Sequence, residues 1–423
     1  MIADLLIKNA SELVTAQGTR GSPKTKDGMQ DLGIIRNGAV AIDGEQIVAV
    51  GETDAILATI ERVRTVIDAA DRIVLPGFVD CHTHLVFGGS REDEFIQKIE
   101  GRSYLEIMQG NGGIFSTVEK TREALASPQD LANRAQAFLA KMLAHGTTTA
   151  EIKTGYGLST ESELDLLNII AELKGSQAVD IVSTFLGAHA FPKEYEHRKA
   201  NYIQLVLGML ERVKNQGLAE YCDVFVEAGA FSPSEARAIL EQAKEQGLKL
   251  KLHAGEFSDL GGPELGAELG ATSIDHLEHI SERGMEVMAE NKTMGVLLPG
   301  VPFHLMTNRY APARRLIEAG VPITLATDFN PGSCPTLSMQ MIIALACREL
   351  KMTPAEAINA ATINAAYALD RGDKIGSIEV GKRADIIILD IPRHQQLPYW
   401  FGVNLVAGVI KNGVMTCRPY ATE

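Results

Sequence analysis

The sequence has few cysteines and no arrangement of them that suggests a disulfide framework. The five cysteines are scattered, odd in number and without a Cys-x-x-Cys pair: Cys81, Cys222, Cys334, Cys347 and Cys417. This pattern is typical of reduced thiols in a cytoplasmic protein. No apolar run is long enough to cross a bilayer, and the first residues lack the basic and apolar regions of a signal peptide. We therefore expect a cytoplasmic protein without a membrane partner.

Positive charge is also scarce. The chain has 40 Lys and Arg side chains against 54 Asp and Glu, which gives a net charge of −14. A surface this acidic repels nucleic-acid phosphates and anionic membranes, so neither is expected as a partner. The 423 residues, 45% of them hydrophobic, suit one large α/β barrel with a smaller satellite domain.

Segments that resemble short strands occupy both ends of the chain. They are rich in Val and Ile and contain Asp-Gly and Asn-Gly turn signals: ADLLIKNA, AVAIDGEQIVAVG, TVIDAADRIVLPG, ADIIILDI and NLVAGVIKNGVMTC. We predict that residues 1–75 and 376–423 together form one small β-sandwich domain. The polar, Gly-, Ser- and Lys-rich stretch 19–31 is predicted to be an exposed loop.

The middle of the chain, residues 76–375, alternates strand and helix patterns. Its eight candidate strands are VDCHTHL, GTTTAEIK, IVSTFLGAH, CDVFVEAG, LKLKLHAGE, SIDHLEHI, MGVLLPG and ITLATDFNP. Each is followed by a segment with the pattern of an amphipathic helix, which predicts a (β/α)8 TIM barrel with its active site at the C-terminal strand ends. A doubly wound sheet would explain the alternation equally well, but not the polar residues at the strand ends.

Histidines and acids recur where these strands end. His82 and His84 are two residues apart, so both imidazoles face the barrel interior, and His253 and Asp328 end the fifth and eighth strands. A lone histidine is more often a hydrogen-bonded core residue, but two buried polar rings at one position need a shared partner. Three neutral imidazoles and a carboxylate suit Zn²⁺ or iron, as Fe²⁺ or Fe³⁺. Such an ion lowers the pKa of its water to about 7, which predicts metal-assisted hydrolysis.

A second metal ion is not expected. Binuclear barrels bridge two ions with a carboxylated lysine or a glutamate at the end of strand four. That strand ends CDVFVEAG, without a lysine, although Glu227 stands nearby. Lys153 lies on strand two and is expected to neutralise Glu151 or another acid. We predict one divalent metal ion.

These motifs resemble those of a known enzyme family. PGFVDCHTHL is similar to the opening signature of the amidohydrolase superfamily, and HTHLVFGGSREDEF, GTTTAEIKTGYGL, LGAHAFP and LATDFNPGSCPT resemble its imidazolonepropionase branch. The resemblance covers nearly the whole chain. It implies hydrolysis of 4-imidazolone-5-propanoate to N-formimidoyl-L-glutamate, the third step of histidine degradation, with zinc or iron as the metal. It also implies a homodimer, which no feature of this sequence shows by itself.

The resemblance further implies a set of substrate contacts. These fall on Arg91, Tyr156, His189, Glu256, Asn330, Gly332 and Ser333. The planar fork of Arg91 suits the propionate carboxylate, although an ion pair with Glu92 or Glu94 explains that arginine equally well from the sequence alone. Tyr156 is also consistent with an ordinary packed loop aromatic, and Asn-Pro-Gly-Ser with an ordinary turn.

Three residues are candidates for the chemical steps. Asp328 would accept the water proton, His276 would polarise the scissile carbonyl or steady the water, and Glu256 or Asp328 would protonate the leaving nitrogen. The family pattern has an acid directly before this glutamate, where this chain has Gly255. Because the ligand and Glu256 keep their spacing, we expect the difference to affect metal or pH preference and not the substrate.

Two other functions remain open from the sequence. An aminohydrolase similar to guanine or cytosine deaminase would share the ligand set, although Arg91 and the Gly-Tyr-Gly loop favour a substrate with a carboxylate. A non-catalytic scaffold would keep the barrel and lose the metal. Such relatives usually lack a ligand, whereas all four are present here.

Overall fold

The computed structural model describes residues 1–18, 21–102 and 112–417. The strands of this part of the chain are β1 (Ile2–Val14), β2 (Ile34–Asp43), β3 (Gln46–Glu52), β4 (Arg62–Asp68), β5 (Ile73–Pro76), β6 (Phe78–Asp80), β7 (Thr147–Lys153), β8 (Asp180–Ala188), β9 (Tyr221–Val226), β10 (Lys249–Ala254), β11 (Ser273–His276), β12 (Met294–Leu297), β13 (Ile323–Leu325), β14 (Ile386–Leu389), β15 (Val406–Lys411) and β16 (Val414–Cys417).

The α-helices of the described residues mostly follow the barrel strands. They span Thr53–Leu57, Glu92–Ile99, Ile114–Ala124, Pro128–Ala144, Thr160–Ser176, Lys199–Gln216, Pro233–Glu245, Gly262–Leu269, Glu282–Asn291, Gly300–Leu305, Ala313–Ala319, Met339–Arg348, Pro354–Ala361, Ile363–Tyr367 and Gln396–Tyr399. Short 3-10 helices span Lys26–Gln30 and Lys193–Tyr195.

Strands β6 to β13 form a nearly closed parallel barrel. Each pairs with the next in chain order, and β6 and β13 are joined by a parallel bridge between Thr83 and Phe329. Two backbone hydrogen bonds support this closure, from the Asp328 amide to the His82 carbonyl at 3.0 Å and from the His84 amide to the Phe329 carbonyl at 3.0 Å. The predicted TIM barrel is confirmed, and its seam lies directly beside three of the predicted metal ligands.

The helices pack on the barrel through regularly spaced apolar residues. In Pro233–Glu245, Ser232 caps the first turn in a capping box with Glu235, and proline occupies the first helical position. The buried face follows helical spacing and consists of Ala236, Ile239, Leu240 and Ala243. Burying each of the two larger side chains contributes about 1.5–3 kcal/mol. Helices of this kind cover the outside of the barrel, which is why every residue of β7 is buried.

The two ends of the chain meet in a mixed eight-stranded sheet. Its order is β16-β15-β14-β5-β1-β2-β3, and β4 pairs with β1. The C-terminal strand β14 runs antiparallel to the N-terminal strand β5, which joins the two segments. The predicted β domain from both termini is therefore confirmed. The domain limits 1–75, 76–375 and 376–423 remain predictions.

The stretch predicted to be an exposed loop is more ordered than expected in its described part, residues 21–31. It contains a short 3-10 helix, and Lys24 and Met29 are buried. The Lys24 amide donates to the Asn364 side chain at 2.8 Å, and Asn359 donates to the Met29 carbonyl at 2.9 Å. The prediction of an exposed loop was wrong for Lys24 and Met29. Their hydrogen-bond partners lie more than 300 residues away along the chain, so the local sequence does not reveal these contacts.

Among the described residues, no helix combines the length and the apolar character that crossing a membrane would require.

Candidate metal centre and active site

A cavity of about 220 Å³ opens at the C-terminal ends of the barrel strands. All of the predicted site residues except His82 line it: His84, Arg91, Tyr156, His189, His253, Glu256, His276, Asp328, Asn330, Gly332 and Ser333. His82 lies beneath the cavity floor and is fully buried. Residues from six strand ends thus share one space, as expected for a barrel enzyme.

Four side chains converge on one point of the cavity floor. The Nε2 atom of His84 lies 3.3 Å from Nε2 of His82 and 3.3 Å from Nε2 of His253. Oδ1 of Asp328 lies 3.3 Å from Nε2 of His82 and 3.4 Å from Nε2 of His84. A tetrahedron around an ion with bonds of about 2.0–2.1 Å has edges of about 3.3 Å, so these separations fit one tetrahedral metal ion.

The ring orientations of two of these histidines are set by buried acids. Nδ1 of His82 lies 2.6 Å from Asp275, and Nδ1 of His253 lies 3.0 Å from Asp223. Because a carboxylate only accepts hydrogen bonds, each Nδ1 must be the protonated nitrogen, and each Nε2 therefore carries a lone pair. The lone pairs of these nitrogens and the negative charge of the Asp328 carboxylate repel one another unless a cation lies between them. The donor set of His82, His84, His253 and Asp328 therefore fits a metal ion, and their assignment as its ligands remains a prediction.

The electrostatics of the floor favour the neutral form of His82 and His84. Burial, together with the neighbouring cations, lowers the pKa values of His82 and His84 well below the ordinary value, so both rings offer lone pairs at neutral pH. Burial also raises the pKa of Asp328 to about 7. For Asp223 burial acts in the same direction, but His253 and Lys153 outweigh it and hold the pKa of that carboxyl well below its ordinary value.

Glu227, the acid at the end of β9, forms hydrogen bonds to a neighbouring loop. Its carboxylate accepts hydrogen bonds from the amides of Phe257 and Ser258 at 2.9 and 3.2 Å and from the hydroxyl of Ser258. These bonds tie it to the loop after β10, which carries Glu256. Glu227 therefore supports this loop while it also lines the cavity, and the single ion remains a prediction.

His276 and Glu256 form the side of the cavity next to the metal ligands. Nε2 of His276 lies 3.7 Å from Oε2 of Glu256, and both side chains are almost fully buried. Burial raises the pKa of Glu256 well above its ordinary value, with further contributions from Glu278 and Asp328. A protonated Glu256 is a possible hydrogen-bond donor into the cavity. Gly255 has φ +74°, a conformation that glycine adopts without strain.

Arg91 stands on the opposite side of the cavity and is held by Glu94. Nε of Arg91 lies 2.9 Å and Nη2 lies 2.8 Å from the same Glu94 oxygen. The guanidinium packs against Gly332, where a Cβ atom would lie only 1.8 Å from Nη1. The glycine thus leaves room for the arginine. Arg91 both forms the ion pair with Glu94 that the sequence allowed and lines the cavity.

The Gly-Tyr-Gly loop is built around one buried carboxylate. Glu163 accepts hydrogen bonds from the amides of Gly155, Gly157 and Leu158 at 3.0, 2.8 and 2.8 Å. The loop holds Tyr156 with its ring centroid 5.6 Å from that of His84. Next to it, Nδ1 of His189 lies 3.1 Å from the Gly155 carbonyl, and its ring stacks on His84 at 4.9 Å.

The loop after β13 is organised by Asn330. Its side-chain oxygen accepts from the amides of Gly332 and Ser333 at 2.8 Å each, and its nitrogen donates to the Asp328 carbonyl and to Ser333 Oγ at 2.7 Å each. Ser333 Oγ in turn donates to Oδ2 of Asp328 at 3.2 Å. The side chain of Asn330 therefore shapes the loop, and Ser333 orients the second oxygen of the carboxylate.

Sequence reasoning missed two groups of residues at this site. The first is an apolar wall made of Ile114, Phe115, Phe191, Phe225, Phe257 and Leu305. The second is the set of buried acids beneath the ligands, which includes Asp223 and Asp275. The signal for the acids was visible: each lies inside an otherwise apolar strand, in CDVFV and SIDH, where an unpaired carboxylate would be costly.

Comparison with known proteins agrees with this geometry. Residues 73–416 match the amidohydrolase family. The chain is 49% identical over 413 residues to an imidazolonepropionase of Geobacillus kaustophilus and 48% identical over 416 residues to one of Alkaliphilus oremlandii. These alignments cover 97% and 98% of this chain and the same shares of the two relatives.

A solved structure supports the fold. An adenosine deaminase from Xanthomonas campestris with bound zinc superposes with a TM-score of 0.70 at 20% identity, over 98% of this chain and 93% of that one. Amidohydrolases are metal-dependent enzymes, in keeping with the group formed by His82, His84 and Asp328 and with the adjoining groups that contain His253. On the strength of near-complete alignments at almost half identity, the chain belongs to the imidazolonepropionases, which are hydrolases of the amidohydrolase family.

Proposed function

We propose that the protein hydrolyses the ring C–N bond of 4-imidazolone-5-propanoate to give N-formimidoyl-L-glutamate, the third step of histidine degradation. One observation carries the proposal. His84, His253 and Asp328, which lie next to the buried His82, share a cavity with Arg91, so a bound metal ion and a carboxylate-binding fork would face the same small space. The relatives named imidazolonepropionase support the choice of substrate.

The metal ion would be zinc or iron, held by the three histidines and Asp328. When bound, it would polarise the scissile carbonyl and lower the pKa of a water to about 7, which supplies a nucleophile at neutral pH. Both metals accept this mixture of nitrogen and oxygen ligands. A single ion is proposed because Glu227 is engaged by the loop after β10.

The propionate arm of the substrate would bind at the Arg91 side of the cavity. Glu94 occupies the Nε and Nη2 edge of the guanidinium, which directs the remaining Nη1 hydrogens towards a ligand. Tyr156 and His189 lie next to His84 and line the same cavity as Arg91, where they would hold the arm and the ring. Asn330, Gly332 and Ser333, in the loop after β13, would line the cavity beside Arg91, where Gly332 packs against the guanidinium.

Proton transfer would involve the three acidic and basic groups next to the ligands. The Asp328 carboxylate would accept the proton of the attacking water, while Ser333 holds its Oδ2 atom. Nε2 of His276 would donate a hydrogen bond to the oxyanion. Glu256, which is buried and has a raised pKa, would contact a ring nitrogen, and either Glu256 or Asp328 would protonate the leaving nitrogen.

The test is product identification with purified protein. 4-Imidazolone-5-propanoate should disappear, as followed by ultraviolet absorbance, and N-formimidoyl-L-glutamate should appear in equal amount by NMR. Guanine and cytosine serve as parallel substrates, with ammonia as the readout. Rapid ammonia release from a nucleobase, without turnover of the imidazolone, would favour a deaminase. Turnover of none of these substrates by protein loaded with zinc or iron would favour a scaffold. The homodimer and the cytoplasmic location remain predictions.

A further inference from the structure

Lys153 is a fully buried lysine at the end of β7, beneath the metal ligands. Its Nζ atom lies 2.7 Å from Asp223, 3.1 Å from Glu151 and 3.3 Å from Asp275. An ammonium has three donors, so three carboxylates satisfy it completely. None of the proposed chemical steps uses this lysine.

Two of its three partners are the acids that orient metal-ligating histidines. Asp275 Oδ2 lies 2.6 Å from Nδ1 of His82 and 3.3 Å from Nζ of Lys153, so one oxygen serves both groups. Asp223 lies 3.0 Å from Nδ1 of His253 and, through Oδ2, 2.7 Å from Lys153. Lys153 therefore links two histidines that lie on different strands.

We infer that Lys153 is a positioning residue for the metal, which holds Asp223 and Asp275 so that His82 and His253 present Nε2 to the same ion. This inference rests on the proposed metal site. Without the ammonium, the two buried carboxylates would lose their shared cation and repel each other. Asp275 would keep the hydrogen bond from Ser273 to its Oδ1 atom, but the repulsion would shift both acids and the histidines that they orient. Changes to such outer partners of metal ligands typically alter affinity by about 10–100-fold.

Whether Lys153→Met weakens or strengthens zinc binding distinguishes a positioning role of Lys153 from a purely electrostatic one. Lys153 carries a positive charge close to the site of a divalent cation, so charge alone opposes metal binding. If its only influence were electrostatic, Lys153→Met would strengthen binding. If it positions the two acids, the same substitution weakens binding.

Lys251 offers a matched control. It is also fully buried on a barrel strand, and its Nζ lies 2.9 Å from Oε2 of the same Glu151. Among the ion pairs of the described residues, Lys251 has a partner only in Glu151; it neighbours Asp223 in the sheet, but its Nζ atom is paired with neither Asp223 nor Asp275. Lys251→Met therefore removes an equivalent buried charge and leaves the histidine-orienting acids in place.

The experiment measures zinc affinity by competition with a chromophoric chelator for the parent, Lys153→Met and Lys251→Met. Thermal unfolding of the metal-free proteins reports the structural cost of each change, and the visible spectrum of the Co²⁺ forms reports ligand geometry. We expect Lys153→Met to weaken zinc binding about 10–100-fold and to alter the Co²⁺ bands. Lys251→Met should stay within about threefold of the parent and keep its spectrum, even if it is equally destabilised.

Several outcomes overturn the inference. Unchanged or tighter zinc binding by Lys153→Met would do so, as would an equal loss in Lys251→Met. If Lys153→Met does not fold, Lys153→Gln carries the test, because its amide NH2 group retains two N–H donors and should give a smaller loss of the same sign. A parent protein that binds neither zinc nor Co²⁺ would overturn the proposed metal site itself. If the parent binds zinc and Lys153→Met binds it equally well, this inference alone is overturned and the proposed metal site stands.

Discussion

The contact between Gly332 and Arg91 gives a prediction that comes from the structure and not from the sequence. A Cβ atom at position 332 would lie 1.8 Å from Nη1 and 2.5 Å from Cζ of Arg91. Since nonbonded carbon contacts are comfortable only at about 3.5–4.0 Å, the guanidinium of a Gly332→Ala variant must move by roughly 2 Å. That movement takes Arg91 away from Glu94 and from the place proposed for the propionate carboxylate.

The expected effect is on substrate binding. A hydrogen bond to a charged group contributes about 1.5–3 kcal/mol, so losing the arginine contact should raise KM by about 10–150-fold. Turnover should change little, because the carboxylate lies away from the reacting carbonyl. Because Arg91 and Glu94 are largely buried, separating them should also lower the free energy of unfolding, by about 1–3 kcal/mol. Steady-state kinetics and thermal unfolding of the single variant measure both quantities.

A double-mutant cycle tests whether the effect passes through the arginine. In an Arg91→Met background, Gly332→Ala should add less than about twofold to KM, because the clashing group is already absent. An equal increase of KM in both backgrounds would refute the reasoning, and so would an unchanged KM in the single variant.

Three further predictions concern other parts of the molecule. Glu163→Gln should raise KM about tenfold and lower thermal stability, because glutamine keeps one accepting oxygen and sets an NH2 donor against at least one of the three loop amides that hold Tyr156; kinetics equal to the parent would contradict this. Asp328→Ala should lower kcat by at least about 1,000-fold, and a normal rate would refute its assignment as ligand and base. Arg314 and a cap hydrogen bond from Thr353 hold the pKa of Glu356 below its ordinary value despite burial, so its carboxylate stabilises the fold above pH 4.5. Glu356→Gln should therefore cost about 1–2 kcal/mol at pH 7 in denaturant unfolding, and the difference from the parent should vanish as the pH falls through the native pKa.

Much of the fold could be predicted because the barrel repeats one local pattern. Each strand is a short apolar run followed by an amphipathic helix, and parallel strands must place their C-terminal ends on the same side. His84, His253 and Asp328 therefore meet at one end of the barrel even though their numbers are far apart. The resemblance to a known family added the substrate contacts.

The supporting contacts could not be predicted because they depend on strand register and loop packing. In the sheet, Lys251 pairs with Asp223 on β9, and His253 pairs with Asp275 on β11. These pairings place the two acids beside the histidines, and no local pattern specifies them. The contact between Arg91 and Gly332 joins two loops from opposite ends of the barrel sequence, and only the packed structure reveals it.

The central claim is that one metal ion, held by three histidines and Asp328, hydrolyses an imidazolone. It is tested most directly by adding zinc to the metal-free protein and following the loss of 4-imidazolone-5-propanoate by its ultraviolet absorbance. The rate should rise in proportion to zinc and level off at one equivalent per chain. A plateau at two equivalents would contradict the single ion, and no turnover at saturating zinc or iron would contradict the proposed function.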